Sequence, residues 1–307
     1  MQNSSLIPGT IVKSTGGFYY VRCEGGDAAP VECRARGIFR REGISPLCGD
    51  RVRISARGGE GTVEEILPRR NFLLRPPVAN LEQLVIVAST CEPRPNRLVI
   101  DKLTAVADRK KIEPLLVVSK ADLGQAGALC GDYRAAGFTA IAVSSSTGEG
   151  VEAVRQALAG RFSAFTGNSG VGKSSLLNRI DPRLGLEVGE ISHKLGRGRH
   201  TTRTVELFTL ASGGVVADTP GFSSVDLESL EVIFKDELQY AFREFAPYIG
   251  CCRFTGCSHV GVRDCAVAEA VEQGKIPRAR YESYCTLYEQ VKDLKEWELR
   301  DREKPSR

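Results

Sequence analysis

The sequence predicts a multidomain α/β chain: an N-terminal OB-type β-barrel, a doubly wound nucleotide-binding domain in circularly permuted order, and a C-terminal helical domain holding zinc. Three observations predict it. Short alternating strands broken by glycine turns fill residues 8–70; strand and helix patterns alternate over residues 81–224 around two nucleotide motifs in reversed order; a Cys/His cluster follows within helical patterning. At 307 residues the chain accommodates two or three domains. The expected divisions are residues 1–72, 73–228 and 229–307.

In the first part, Tyr19-Tyr20-Val21-Arg22 and Arg51-Val52-Arg53-Ile54 alternate in polarity, and glycines at 16–17, 25–26, 49 and 58–59 mark turns. About five short strands result, the size of an OB barrel. The net charge is only +4, yet arginine is concentrated at Arg34, Arg36, Arg40, Arg41, Arg51, Arg53 and Arg57. With Phe18, Tyr19, Tyr20 and Phe39 as stacking surfaces, that patch suits RNA, although any one of these aromatics equally suits the barrel core. Arg75-Pro76-Pro77 ends the barrel, because proline cannot continue a ladder.

The second part opens with the apolar run Leu84–Ala88, followed by a helical stripe over residues 98–108. Next comes the strand Pro114-Leu115-Leu116-Val117-Val118, which delivers Ser119-Lys120-Ala121-Asp122. A carboxylate at Asp122 accepts from the N1–H and 2-amino group of guanine and finds no such donor pair on adenine; Lys120 lies along the base. Ser119 replaces the usual asparagine and offers a single donor, which weakens the guanine preference. A further apolar strand, Ala140-Ile141-Ala142-Val143, ends in Ser144-Ser145-Ser146, and Ser144 and Ser145 are candidate contacts to the guanine O6.

Downstream, Gly167-Asn168-Ser169-Gly170-Val171-Gly172-Lys173-Ser174 fits G-x-x-x-x-G-K-[ST] in full. Backbone N–H groups would cradle phosphate oxygens, Lys173 would reach the β/γ-phosphates and the Ser174 hydroxyl would face Mg²⁺, with Ser175 following in the helix. The basic loop Gly196–Arg203 reads as a first switch in which Thr202, with Thr201 as fallback, completes the Mg²⁺ shell. Asp218-Thr219-Pro220-Gly221 ends another apolar strand: Asp218 would hold Mg²⁺ and the Gly221 N–H would sense the γ-phosphate. Phe222 stands where many small GTPases place a water-orienting glutamine, so His200 becomes the candidate for that task, with Lys173 and Thr202 as its catalytic partners.

Cys252-x4-Cys257-x-His259-x5-Cys265 places three thiols and an imidazole within 14 residues, the donor set of a closed structural zinc site. Cys251 is an alternative ligand. Residues 280–307, rich in Glu, Lys and Arg, read as a long solvated helix. Ten cysteines with no secretion signal, and no apolar stretch long enough to span a bilayer, indicate a cytoplasmic, reduced, membrane-free protein.

With these residues in place, the chain resembles the ribosome small-subunit-dependent GTPase A family, the circularly permuted GTPases called RsgA. The resemblance extends to the barrel segments Arg36-Gly37-Ile38-Phe39-Arg40 and Cys48-Gly49-Asp50-Arg51-Val52. It implies a monomeric GTPase, binding GTP or GDP with Mg²⁺ and one zinc, that clasps the small ribosomal subunit and its rRNA during late maturation and is stimulated by it. It also implies the water-positioning role of His200. Competing readings are a small-molecule ATPase or kinase, which Asp122 disfavours, and a zinc-containing RNA-binding protein with a poorly hydrolysing nucleotide sensor.

Overall fold

In the computed structural model, which describes residues 6–25, 29–57, 59–74, 77–186, 205–218 and 231–295, the first five strands close into a ring. They are β1 (Ile7–Thr15), β2 (Phe18–Cys23), β3 (Val31–Ala35), β4 (Arg51–Arg57) and β5 (Glu60–Ile66), with the short helix α1 (Gly37–Arg41) between β3 and β4. The order is β1-β2-β3-β5-β4, β1–β4 pairing closes the barrel, and only β3–β5 is parallel. Ile11, Val21, Cys33, Val52, Ile54 and Val63 are fully buried inside it. Each such side chain contributes roughly 1.5–3 kcal/mol through burial. Alternation in β4 is the direct cause: Val52 and Ile54 point inward while Arg51 and Arg53 are exposed.

Two details differ from the sequence reading. Phe39 is buried in the core rather than offered as a stacking surface, while Phe18, Tyr19 and Tyr20 stay half-exposed, with the Arg34 guanidinium 4.8 Å over the Phe18 ring. Arg36 and Arg53 pair with Glu64 and Glu65, which tempers the basic patch. The prolines after the barrel do more than punctuate. Pro77 opens β7 (Pro77–Ala79), which pairs with β6 (Phe72–Leu74) as a small hairpin, and proline is tolerated because it is the first residue of its strand.

The central sheet comprises β8 (Gln83–Ser89), β9 (Glu113–Ser119), β10 (Thr139–Ala142), β11 (Phe162–Thr166), β12 (Val205–Thr209) and β13 (Val215–Asp218). Helices α2 (Arg97–Arg109), α3 (Gly127–Ala135), α4 (Val151–Leu158) and α5 (Lys173–Ile180) connect them. The order β10-β9-β8-β11-β13 is parallel, and β12 runs antiparallel on β13. Every residue of β8 is buried, the consequence of apolar layers on both faces and the reason its sequence does not alternate. β12 also pairs antiparallel with barrel strand β1, Lys13 opposite Glu206, so barrel and central sheet form one eleven-stranded sheet.

The remainder carries α6 (Lys235–Leu238), α7 (Ala266–Glu272) and α8 (Arg278–Val291). The expected solvated helix starts near α8, yet α8 buries Arg280, Ser283, Tyr284 and Leu287, a stripe at three- and four-residue spacing. Residues 296–307 lie outside the described residues. Packing α8 on α2 sends the Arg280 guanidinium into the interior, where it donates to Asp101 at 2.7 Å, to both oxygens of Glu244 at 2.7 and 3.1 Å, and to Thr104 at 2.9 Å.

Candidate functional site

β11 lies mid-sheet, and its carboxyl end runs directly into the phosphate loop, the position where open α/β sheets bind ligands. Gly167 takes φ +142°, and a Cβ there would stand 2.2 Å from the Val87 carbonyl oxygen, so the turn requires glycine. Gly172, at φ +93°, precedes α5 and has nothing within 4 Å of its Cβ position, which leaves room for a phosphate at the helix N-terminus. Lys173 curls back across the loop, its Nζ donating to the carbonyls of Gly167 at 2.6 Å and Asn168 at 2.8 Å. Ser174 and Ser175 sit half-buried in the first turn of α5, Ser169 and Gly170 are exposed, and the Val171 side chain is buried beneath the loop.

Burial pulls the Lys173 ammonium down to about 8. Its folded value lies below the ordinary 10.5, so burying the charge costs stability at pH below about 8, and that cost fades as pH rises. A bound phosphate acts in the opposite sense by favouring the ammonium. GDP affinity is therefore expected to be constant below about pH 8 and to fall by up to about tenfold per unit above it, as binding must take up a proton. GDP dissociation constants measured across that range check this, and a flat profile would count against the assignment.

β9 stands two strands from β11 and brings the Ser-Lys-Ala-Asp turn to the same edge. Ser119 is 3% exposed, and its hydroxyl lies 2.5 Å from the Val171 carbonyl and 3.1 Å from that of Ala88. Lys120 adopts φ +57° and donates from Nζ to the Glu92 carbonyl at 2.5 Å. Asp122 is exposed, and its Oδ2 accepts from the Ser146 hydroxyl at 2.9 Å. Hydrogen bonds from Ser144 and Ser146 hold its carboxyl below the usual range. Ser144 is fully buried and Ser145 half-buried. Ser146 is a residue that sequence reasoning missed: in a run of three serines, spacing alone does not say which hydroxyl reaches the carboxylate.

Asp218 ends β13 at this edge, opposite Glu206 of β12. Its side chain, together with His200, Thr201, Thr202 and Gly221, lies outside the described residues.

A second site lies below α8. Cys252, Cys257, His259 and Cys265 offer ligand atoms all within 4.8 Å of one another. Around a tetrahedral zinc with ordinary bond lengths, two sulfurs stand about 3.8 Å apart, and a sulfur and an imidazole nitrogen about 3.5 Å. Here Cys252 Sγ lies 3.8 Å from Cys265 Sγ, and His259 Nδ1 lies 3.5 and 3.4 Å from those two sulfurs. The fit is that of a closed structural site. Cys251 is exposed and stands apart, which resolves the choice between adjacent cysteines. His259 takes φ +60°, and its Nε2 lies 2.9 Å from Gln239 Oε1, a contact that selects the tautomer leaving Nδ1 for a metal. Burial pushes the Cys265 thiol up to about 12, so its ionised form needs a cation beside it. Gln239 was not legible in the sequence, because it lies 20 residues from the histidine and belongs to no spacing pattern.

Comparison with known proteins agrees with this geometry. Residues 66–228 match the family model described as RsgA GTPase, and residues 8–63 match the RsgA N-terminal domain. A relative from Caldanaerobacter subterraneus named small ribosomal subunit biogenesis GTPase RsgA is 47% identical over 94% of this chain and 96% of its own. One of the same name from Geobacillus thermodenitrificans is 45% identical over 94% and 99%. Among solved structures, YjeQ from Thermotoga maritima superposes with a TM-score of 0.78 at 32% identity over 94% of this chain and all of its own. YloQ, described as a circularly permuted GTPase, gives 0.73 at 35% identity over 96% and 98%. Sequence, fold and the permuted motif order together place the chain in the RsgA GTPase family.

Proposed function

We infer that this protein is a GTP hydrolase of small-ribosomal-subunit biogenesis, converting GTP and water to GDP and phosphate and assisting late maturation of the subunit. One observation carries the reading: the sheet order brings a complete phosphate loop and the Asp122 turn to a single edge. The backbone of residues 167–172 and Lys173 bind the β- and γ-phosphates, and Asp122 reads guanine. Ser174, Thr202 and Asp218 hold Mg²⁺, which neutralises charge on the phosphates. His200 orients the attacking water and Gly221 senses the γ-phosphate. The chain works as a cytoplasmic monomer with one structural zinc, divided at residues 72 and 228. Its barrel contacts rRNA through the exposed arginines and the Phe18–Tyr20 surface. No described helix is long and apolar enough to cross a bilayer.

The test is GTP turnover with and without purified small subunits. Turnover should be slow alone and rise with subunits, by up to about 10⁵-fold if the partner acts as activators of small GTPases do. His200→Ala should keep GTP affinity and lose the stimulated rate. Full stimulation in that variant sinks the histidine's role, and absence of any turnover sinks the hydrolase.

A further inference from the structure

Among the described residues, the zinc-bearing part meets the nucleotide domain through ion pairs at a rim, through apolar packing and through one buried polar cluster. We propose that Arg280 is a docking key: its cluster with Asp101, Thr104, Tyr133 and Glu244 sets a single seating of the zinc-bearing part on α2, where rim charges and apolar packing alone would let it slide.

The rim consists of Arg109 with Glu237, Lys110 with Glu231, and Arg243 with Asp108 and Glu113, whose side chains are 18–49% exposed. Long, wet side chains follow a shift of their partners at little cost. The apolar contact is equally tolerant. Leu238, Phe242, Phe245, Tyr284 and Leu287 are buried in the shared core, and burial has no preferred direction.

The cluster is different. Glu244 accepts from Arg280 Nε at 2.7 Å and from Nη2 at 3.1 Å, a two-pronged grip inside the zinc-bearing part that aims the rest of the guanidinium. Its Nη1 reaches α2, donating to Asp101 Oδ1 at 2.7 Å and to Thr104 Oγ1 at 2.9 Å. Those two residues lie three apart on one helix face, and the Thr104 proton goes to the Asp101 carbonyl at 2.9 Å, which leaves its oxygen to accept. From α3, the Tyr133 hydroxyl donates to the same Oδ1. The rings of Tyr133, Phe138 and Phe242 stand 5.4, 5.0 and 4.8 Å from the guanidinium and complete its enclosure. A slip of one helical turn along α2, about 5.4 Å, would break both Nη1 bonds and strand a buried carboxylate. Other seatings are thereby penalised, as a buried polar residue penalises wrong registers in packed helices.

The test is the distance distribution between spin labels carried by non-canonical amino acids at Ala153 of α4 and Glu272 of α7, both exposed, in the full zinc-loaded chain. The wild type should give one narrow distance, and a broad one overturns the proposal. Arg280→Met, Asp101→Leu and Glu244→Met combined with Tyr133→Phe remove key and lock without stranding a charge or a hydroxyl. That variant should retain zinc and melt cooperatively, yet give a broadened or split distribution. A narrow distribution at the wild-type distance overturns the proposal. Should the variant not fold, Arg280→Lys keeps a buried cation without the planar fork, and a narrow, unshifted distance there overturns it likewise. Labels at Ala128 of α3 and Ala153, both within the nucleotide domain, should stay narrow throughout. Broadening of that pair too would trace the effect to general loosening and sink the key.

Discussion

Removal of the metal at Cys252, Cys257, His259 and Cys265, by chelation or by Cys265→Ala, is expected to unfold the segment that carries them. Among the described residues of 251–265 there is no helix or strand, so the chain there is held by its ligands and a few bonds, including Tyr281 to the His259 carbonyl at 2.7 Å and Tyr284 to that of Ser258 at 2.9 Å. Binding a structural zinc contributes on the order of 10 kcal/mol at neutral pH, more than those contacts supply. Loss should therefore spread to α7, whose N-cap is Cys265, and to the face of α8 above it. Hydrogen exchange should show protection gone across residues 251–272, while the phosphate loop, on the far side of α2, keeps its protection. Unchanged exchange after stoichiometric zinc removal would show that the three thiols and the imidazole are merely clustered.

The second large effect is at Arg280, where Arg280→Met should cost about 3–5 kcal/mol, since it leaves two carboxylates buried without their partner. Arg280 and Asp101 are each 1% exposed and Glu244 is 2% exposed on their side chains. The Tyr133 hydroxyl donates to the same Asp101 Oδ1 at 2.5 Å. Burial works against the guanidinium's charge, and the Glu244 and Asp101 carboxylates outweigh it, raising its pKa. A loss of that size lowers exchange protection in α8 by about 10²–10⁴-fold. Replacing Arg280, Asp101 and Glu244 together by apolar residues of similar volume should cost less than Arg280→Met alone, because no charge is stranded. A triple variant less stable than the single one would assign the cluster a net stabilising role instead. Since Asp101 belongs to α2 and Glu244 and Arg280 to the zinc-bearing part, the pairing makes that part and the nucleotide domain one body.

Much of this site was legible in advance where the chemistry is local. The phosphate loop and the zinc ligands each lie within one short segment, so the covalent geometry of the chain delivers the groups together whatever surrounds them. Strands β8, β9 and β13 were legible because runs buried on both faces are apolar almost throughout. The reading of residues 280 onward as a solvated helix failed at Arg280 because its partner Asp101 lies 179 residues away, and a charge run looks the same whether it faces water or a buried carboxylate.

By itself, then, the sequence determined the motifs, their permuted order and the family. The tertiary structure alone decided which polar groups face a ligand and which are spent on the protein: Ser119 turned inward, Ser146 set beside Asp122, Gln239 behind His259, and β12 laid against barrel strand β1. The reason is physical. A hydroxyl or guanidinium has the same bonding capacity everywhere, and its role follows from burial and from partners supplied by segments distant in the chain.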